Sequence, residues 1–446
     1  MILSSKKRLK LAALLTAATA LCGGTFPAQA VEPGAPLPSI PTVDAPAIDA
    51  VRSRQYWLES YGFTDAWKTS RGEGVTVAVI DTGVDGNHQD LSGNVLPGYD
   101  ASGVGSENGW KGLGLEPEHG TLAASVIAGH GHKISSEGSY DGPGEPGGVI
   151  GIAPEAKILP ISLELGTVTP GGKSIDEQLP DAVRYAVDHG AKVINLSVGS
   201  GDTNWPQSWD EAFAYAEEKG VVIVAAAGNR GSGLTQVGAP ATMPGVLSVG
   251  GVDQQRKASW ASSSEGISIA VAAPAEDMIG ATPRNKYALW SGSSASAPVV
   301  SGLAALIIAE HPELNGNQVI QRIISSADDA GKPGRDPLYG FGIINPAKAL
   351  GDEASQNAQE NPLGSMRQWM SVHRKASQAA EEQPSPSATP VHEDGETIPA
   401  VAAPQAHRSA EDSGILPFIV LGGFALWVAL LTGTAISQLK EIGRRR

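Results

Sequence analysis

The 446-residue chain has a single cysteine, Cys22. It lies in a segment that reads as an export signal. The exported chain then has no disulfide, no thiolate metal site and no Cys nucleophile. Its stability must come from a large apolar core. Aromatic residues are scarce (Phe 6, Tyr 8, Trp 9), which leaves that core to Ala, Val, Ile and Leu. Long basic runs are absent, and acidic residues outnumber basic ones by 47 to 32 for a formal charge of −15. Such a balance argues against a nucleic-acid partner. Hydrophobic residues at 41% and charged ones at 18% exclude both a fully disordered chain and a polytopic membrane protein. There are no internal repeats.

The longest apolar runs stand at the two ends. Lys6, Lys7, Arg8 and Lys10 precede apolar residues 11–21, and Ala28-Gln29-Ala30 is a small-x-small cleavage pattern. Residues 1–30 are expected to be a signal peptide. Its removal takes four basic residues and no acidic one, leaving a charge of −19. Residues 415–436 contain no charge, and their length suits one transmembrane helix. Lys440, Arg444, Arg445 and Arg446 follow within residues 437–446, so that tail is expected in the cytoplasm and the preceding chain outside, in a single-pass cell-membrane topology.

Between the ends, residues 31–50 form a Pro-rich extension with Pro33, Pro36, Pro38, Pro41 and Pro46. Residues 351–413 are rich in Ala, Ser, Gln, Glu and Pro and read as a disordered linker, with room for a short helix at Met366-Arg-Gln-Trp-Met370. As a coil this 63-residue stretch would reach roughly 45 Å. That leaves residues 51–350 as one folded domain. Apolar runs at 75–80, 193–198, 221–226 and 246–249 suit buried strands. Helical patterns at 180–189, 210–219, 296–310 and 315–327 alternate with them. Asn315 and Gln318 can form a capping box. The alternation predicts an α/β fold, a three-layer arrangement around a mostly parallel sheet.

Parallel sheets expose functional groups at the carboxyl ends of their strands. Asp81 ends the run Val77-Ala-Val-Ile-Asp81. His119-Gly-Thr opens an apolar helical pattern. Ser294, within Ser291-Gly-Ser-Ser-Ala-Ser-Ala-Pro298, stands where free helix N–H groups favour an oxyanion. Pro298 is taken as a first-turn proline. Asn229 closes Ile223-Val-Ala-Ala-Ala-Gly-Asn229 with an amide that could donate to developing charge. Each segment alone is an ordinary turn or cap. The other histidines, His88 and His132 among them, read mostly as surface groups.

Together these stretches resemble the subtilisin-like serine peptidases, the subtilases, in the order Asp, His, Ser. The resemblance implies a serine endopeptidase with Asp81, His119 and Ser294 as its catalytic residues and Asn229 in its oxyanion hole. It further implies Ser197, Val198 and Gly199 as a substrate-binding strand for a protein or peptide. No cofactor or metal is required; structural calcium occurs in variable loops of the family and cannot be placed in this chain. Ser293, Ala295 and Leu122 depart from the usual family residues. Residues 130–149 read as a Gly-rich insertion near the cleft that could act as a lid. The order of signal, Pro-rich extension, catalytic domain, tether, span and basic tail resembles the mycosins of type VII secretion. That likeness implies a membrane secretion complex as partner, with a scaffold role or a general surface-protease role as alternatives.

Overall fold

The structure is a computed structural model describing residues 42–43 and 49–381, apart from 136–138, 353 and 356. The expected signal peptide, span and basic tail lie outside the described residues, as does most of the Pro-rich extension. The strands, in chain order, are β1 (Thr42–Val43), β2 (Thr76–Asp81), β3 (Tyr99–Asp100), β4 (His130–Ile134), β5 (Tyr140–Pro143), β6 (Gly147–Ile150), β7 (Lys157–Ser162), β8 (Val193–Leu196), β9 (Val222–Ala226), β10 (Leu247–Val252), β11 (Ile269–Pro274), β12 (Met278–Thr282) and β13 (Lys286–Trp290). The principal helices are α1 (His119–Ala128), α2 (Ile175–Asp188), α3 (Asp210–Glu218), α4 (Ser293–Glu310), α5 (Gly316–Ser326), α6 (Pro346–Leu350) and α7 (Met366–Glu381).

Seven strands form a parallel sheet in the order β11-β10-β9-β8-β2-β7-β3. Its central strands β2, β8 and β9 are buried at nearly every position because both faces are covered. In β2, Val77 and Val79 join the core under α1 and α4, while Ala78 and Ile80 join the one under α2 and α3. In β9, Val222 and Val224 split from Ile223 and Ala225 in the same way. The expected three layers are present. Among the described residues, α4 is the one helix long and apolar enough to cross a membrane, yet 78% of its apolar window is buried inside the domain, as befits a core helix.

Two helices begin earlier than their apolar patterns predict, and in both a proline is the reason. α2 starts at Ile175, where Ser174 and Glu177 form a capping box, which puts Pro180 inside the helix. α4 starts at Ser293, which puts Pro298 at its sixth residue instead of its first turn. A proline has no N–H for the carbonyl four residues back. Those two carbonyls, of Asp176 and Ser294, are instead taken by serine hydroxyls from elsewhere, Ser208 at 3.0 Å and Ser197 at 2.9 Å. The Asn315–Gln318 capping box of α5 forms as expected.

The domain does not end at residue 350. The stretch expected to start a disordered linker instead folds on, at least to the end of α7. Met366 is fully buried, and Trp369 packs on Trp205 with ring centres 4.6 Å apart. Arg367 pairs with Glu211 and Glu218, and Arg374 reaches Asp210 at 2.6 Å. The polar composition that suggested disorder is complementary to the acidic outer face of α3. The insertion at 130–149 is likewise no lid over the cleft. It forms the antiparallel sheet β5-β4-β6 at the far end of α1, about 15 Å along that helix from His119. His132 within it binds Asp90 at 2.5 Å, and His88 is fully buried, so neither is a surface group.

Asp210 is 1% exposed and has Arg374 as its charged partner, with Trp205 Nε1 donating at 2.8 Å. Arg374→Ala strands that carboxylate. We expect a loss of about 2 kcal/mol in urea denaturation, together with faster proteolytic cutting within α7.

Candidate active site

Asp81 ends β2 and is fully buried. Its Oδ1 accepts the Thr82 backbone N–H at 2.7 Å, which fixes the carboxylate. His119 is the first residue of α1, and its Nδ1 lies 2.9 and 3.0 Å from the two Asp81 oxygens. That contact assigns the proton to Nδ1 and leaves Nε2 as an acceptor. The start of α1 is clamped to the same turn, since Gly120 N–H donates to Thr82 Oγ1 at 3.0 Å. No side chain is tolerated at Gly120, because a Cβ there would fall 2.3 Å from the Gly83 carbonyl oxygen. Leu122, one of the departures from the family pattern, packs against β12 at Gly280. A Cβ on Gly280 would come within 2.8 Å of Leu122 Cδ2 and 3.2 Å of Ser125 Oγ.

Burial, the largest single influence on His119, pulls its pKa down. The Asp81 charge and hydrogen bond, then Glu116 and Glu118, push it up and prevail, so it lies above the usual 6.5. The Trp290 ring stands perpendicular to the imidazole at 5.5 Å.

Ser294 is the second residue of α4, where backbone N–H groups have no intrahelical partner. Asn229 follows β9. Its Oδ1 accepts Ser293 N–H at 2.8 Å and lies 3.0 Å from Ser293 Oγ. Only the oxygen of an amide can accept from N–H, so Nδ2 is directed away as a donor. The Ser293 hydroxyl also accepts Gly228 N–H at 2.9 Å. Gly292, at φ +142°, brings the backbone close. A Cβ there would sit 2.9 Å from Asn229 Nδ2.

The structure thus unites Asp81 with His119, and Asn229 with the start of α4. Ser294 Oγ donates to the Ser197 carbonyl at 3.0 Å, and in this rotamer no hydrogen bond joins it to His119. Ser197 is buried beneath α4, Val198 is half-buried and Gly199 is exposed past the end of β8. Sequence reasoning gave Ser197 to the substrate strand and missed its hydroxyl, which serves Ser294. The signal was Pro298, four residues beyond Ser294. It also missed Thr82 and Trp290.

A buried carboxylate–imidazole pair, a serine at a helix N-terminus and an oriented amide stand at the carboxyl edge of a parallel sheet. The chain belongs to the subtilase family, whose model matches residues 72–342. It is 33% identical over 329 residues to fervidolysin of Fervidobacterium pennivorans, covering 67% of this chain and 44% of that one. To a thermophilic serine proteinase of Bacillus sp. (strain AK1) it is 36% identical over 291 residues, 65% of each chain. The chain thus spans under two thirds of the length of both relatives. Among solved structures it is similar to MycP1 from Mycobacterium smegmatis, with 29% identity and a TM-score of 0.58 over 72% of this chain and 90% of that one. It is also similar to MycP3 protease from the type VII (ESX-3) secretion system, with 31% identity and a TM-score of 0.53 over 67% and 88%.

The raised pKa of His119 has a checkable sign. Its contribution to stability is complete below the ordinary value and is lost as pH rises through the raised one. In NMR titration its ring is expected to change charge above pH 6.5. Asp81→Asn removes the carboxylate while burial remains, so the midpoint should fall below 6.5. An unchanged midpoint would mean that Asp81 does not hold the imidazole.

Proposed function

We propose that this chain is a membrane-anchored, extracytoplasmic serine endopeptidase that works with a type VII secretion system. The observation that carries the reading is the buried Asp81–His119 pair at 2.9 Å, set at the same sheet edge as Ser294 and Asn229. Ser294 Oγ attacks a peptide carbonyl carbon as its proton passes to His119 Nε2. Asp81 stabilises the imidazolium. The oxyanion is met by Asn229 Nδ2 and the Ser294 N–H. The C–N bond then breaks, His119 protonates the leaving amine, and water releases the acyl group by the reverse roles. Val198 and Gly199, beyond the last ladder pair Leu196↔Ala225, offer main chain to an extended peptide.

The anchor rests on the uncharged run 415–436 and the basic residues after it. The secretion setting rests on likeness to MycP1 and MycP3 together with the segment order of the chain. No cofactor enters the scheme.

A fluorophosphonate probe applied to membranes should label the wild type and leave Ser294→Ala unlabelled at an unchanged melting temperature. Persistent labelling would put the nucleophile elsewhere. The labelling rate should fall on the acid side with a midpoint above 6.5, as the base becomes protonated. Protease added to spheroplasts should release a soluble domain by cutting between α7 and residue 415. Protection of that stretch would reverse the topology.

A further inference from the structure

We infer that Ser197 is a positioning residue that holds the nucleophile off its base in the free protein, and that a peptide main-chain N–H releases it. This rests on the peptidase reading above. The Ser294 hydroxyl has one hydrogen. It is given to the Ser197 carbonyl at 3.0 Å, so none is left for His119 Nε2. The partnership is reciprocal, since Ser197 Oγ donates to the Ser294 carbonyl at 2.9 Å. That carbonyl is available because Pro298 supplies no helix N–H to it.

Ser197 is itself held from behind. Asn195 Nδ2 donates to its hydroxyl at 3.0 Å, and Asn195 Oδ1 accepts Ser301 Oγ at 2.9 Å. Ser301 lies two turns beyond Ser294 on the same face of α4. Asn195 and Ser301 are fully buried and Ser197 is 3% exposed, so the arrangement is a rigid polar bridge between β8 and α4.

The same Ser197 carbonyl stands where β8 leaves the sheet, one residue past the Leu196↔Ala225 pair. A peptide laid along this edge would present a main-chain N–H to it. The oxygen has two lone pairs, so the two donors are not excluded by count. An N–H drawing on that oxygen weakens its hold on the hydroxyl, and His119 Nε2 then becomes the better acceptor. Ser294 turns to its base when a peptide backbone is in place, and stays parked otherwise.

The test uses the wild-type chain in membranes and diisopropyl fluorophosphate, a reagent without an amide. In its reaction the Ser294 Oγ–P bond forms, the P–F bond breaks, fluoride leaves and the Oγ proton goes to His119. The rate is measured alone, with acetyl-Ala-Ala-Pro N-methylamide and with the N,N-dimethylamide, each at a concentration that saturates its inhibition of peptide-ester cleavage. The N-methylamide places its last N–H at Ser197 and should speed labelling about fivefold, the worth of one net hydrogen bond. The dimethylamide should not. Equal rates in all three conditions, slowing by the N-methylamide, or equal acceleration by both amides would overturn the gate. Absence of labelling in every condition would instead overturn the peptidase reading on which it rests.

Discussion

The helix α4 has no polar face. From Ala295 to Ile307 every side chain is buried, packed against β8, β9, β10 and β11 on one side and α1 on the other. Val299, Val300, Leu303, Leu306 and Ile307 are fully buried, each contributing about 1.5–3 kcal/mol relative to exposure. A helix held so firmly cannot shift its first turn. The position of Ser294, the free N–H groups around it and the anchoring of Asn229 through Ser293 all follow from that immobility.

The departures from the family pattern become intelligible on this frame. The Ser293 hydroxyl accepts the Gly228 N–H and lies within hydrogen-bond distance of Asn229 Oδ1. Ala295 is fully buried, in the helix turn that carries Ser294. The Asn229 amide, the Ser294 hydroxyl and the His119 imidazole are thus set by three different partners: the Ser293 N–H, the Ser197 carbonyl and the buried Asp81 carboxylate. None depends on the flexible side chains at the rim.

The strands and the segments bearing Asp81, His119, Asn229 and Ser294 were legible because each is a local pattern, an apolar run ending in a polar or glycine-bounded residue. Helix starts at prolines were not. Pro180 and Pro298 looked like first-turn residues, and only tertiary serine hydroxyls make their interior placement tolerable. α7 was illegible for a related reason. Its Arg367 and Arg374 look like solvated charges until the acidic face of α3 is folded opposite them. His88 and His132 are buried by partners far away in sequence, Lys286 and Asp90, which composition cannot reveal.

The contact of Leu122 with Gly280 constrains how this site can evolve. The large side chain at 122 occupies the volume that a Cβ at 280 would need, to within 2.8 Å. The two positions are therefore not free to drift separately. A methyl group at 280 requires the end of the Leu122 side chain to swing aside and the Ser125 hydroxyl to give by a few tenths of an ångström. The tolerance of position 280 therefore depends on which side chains the first turns of α1 present to it, and substitutions at 122 and 280 should not be additive.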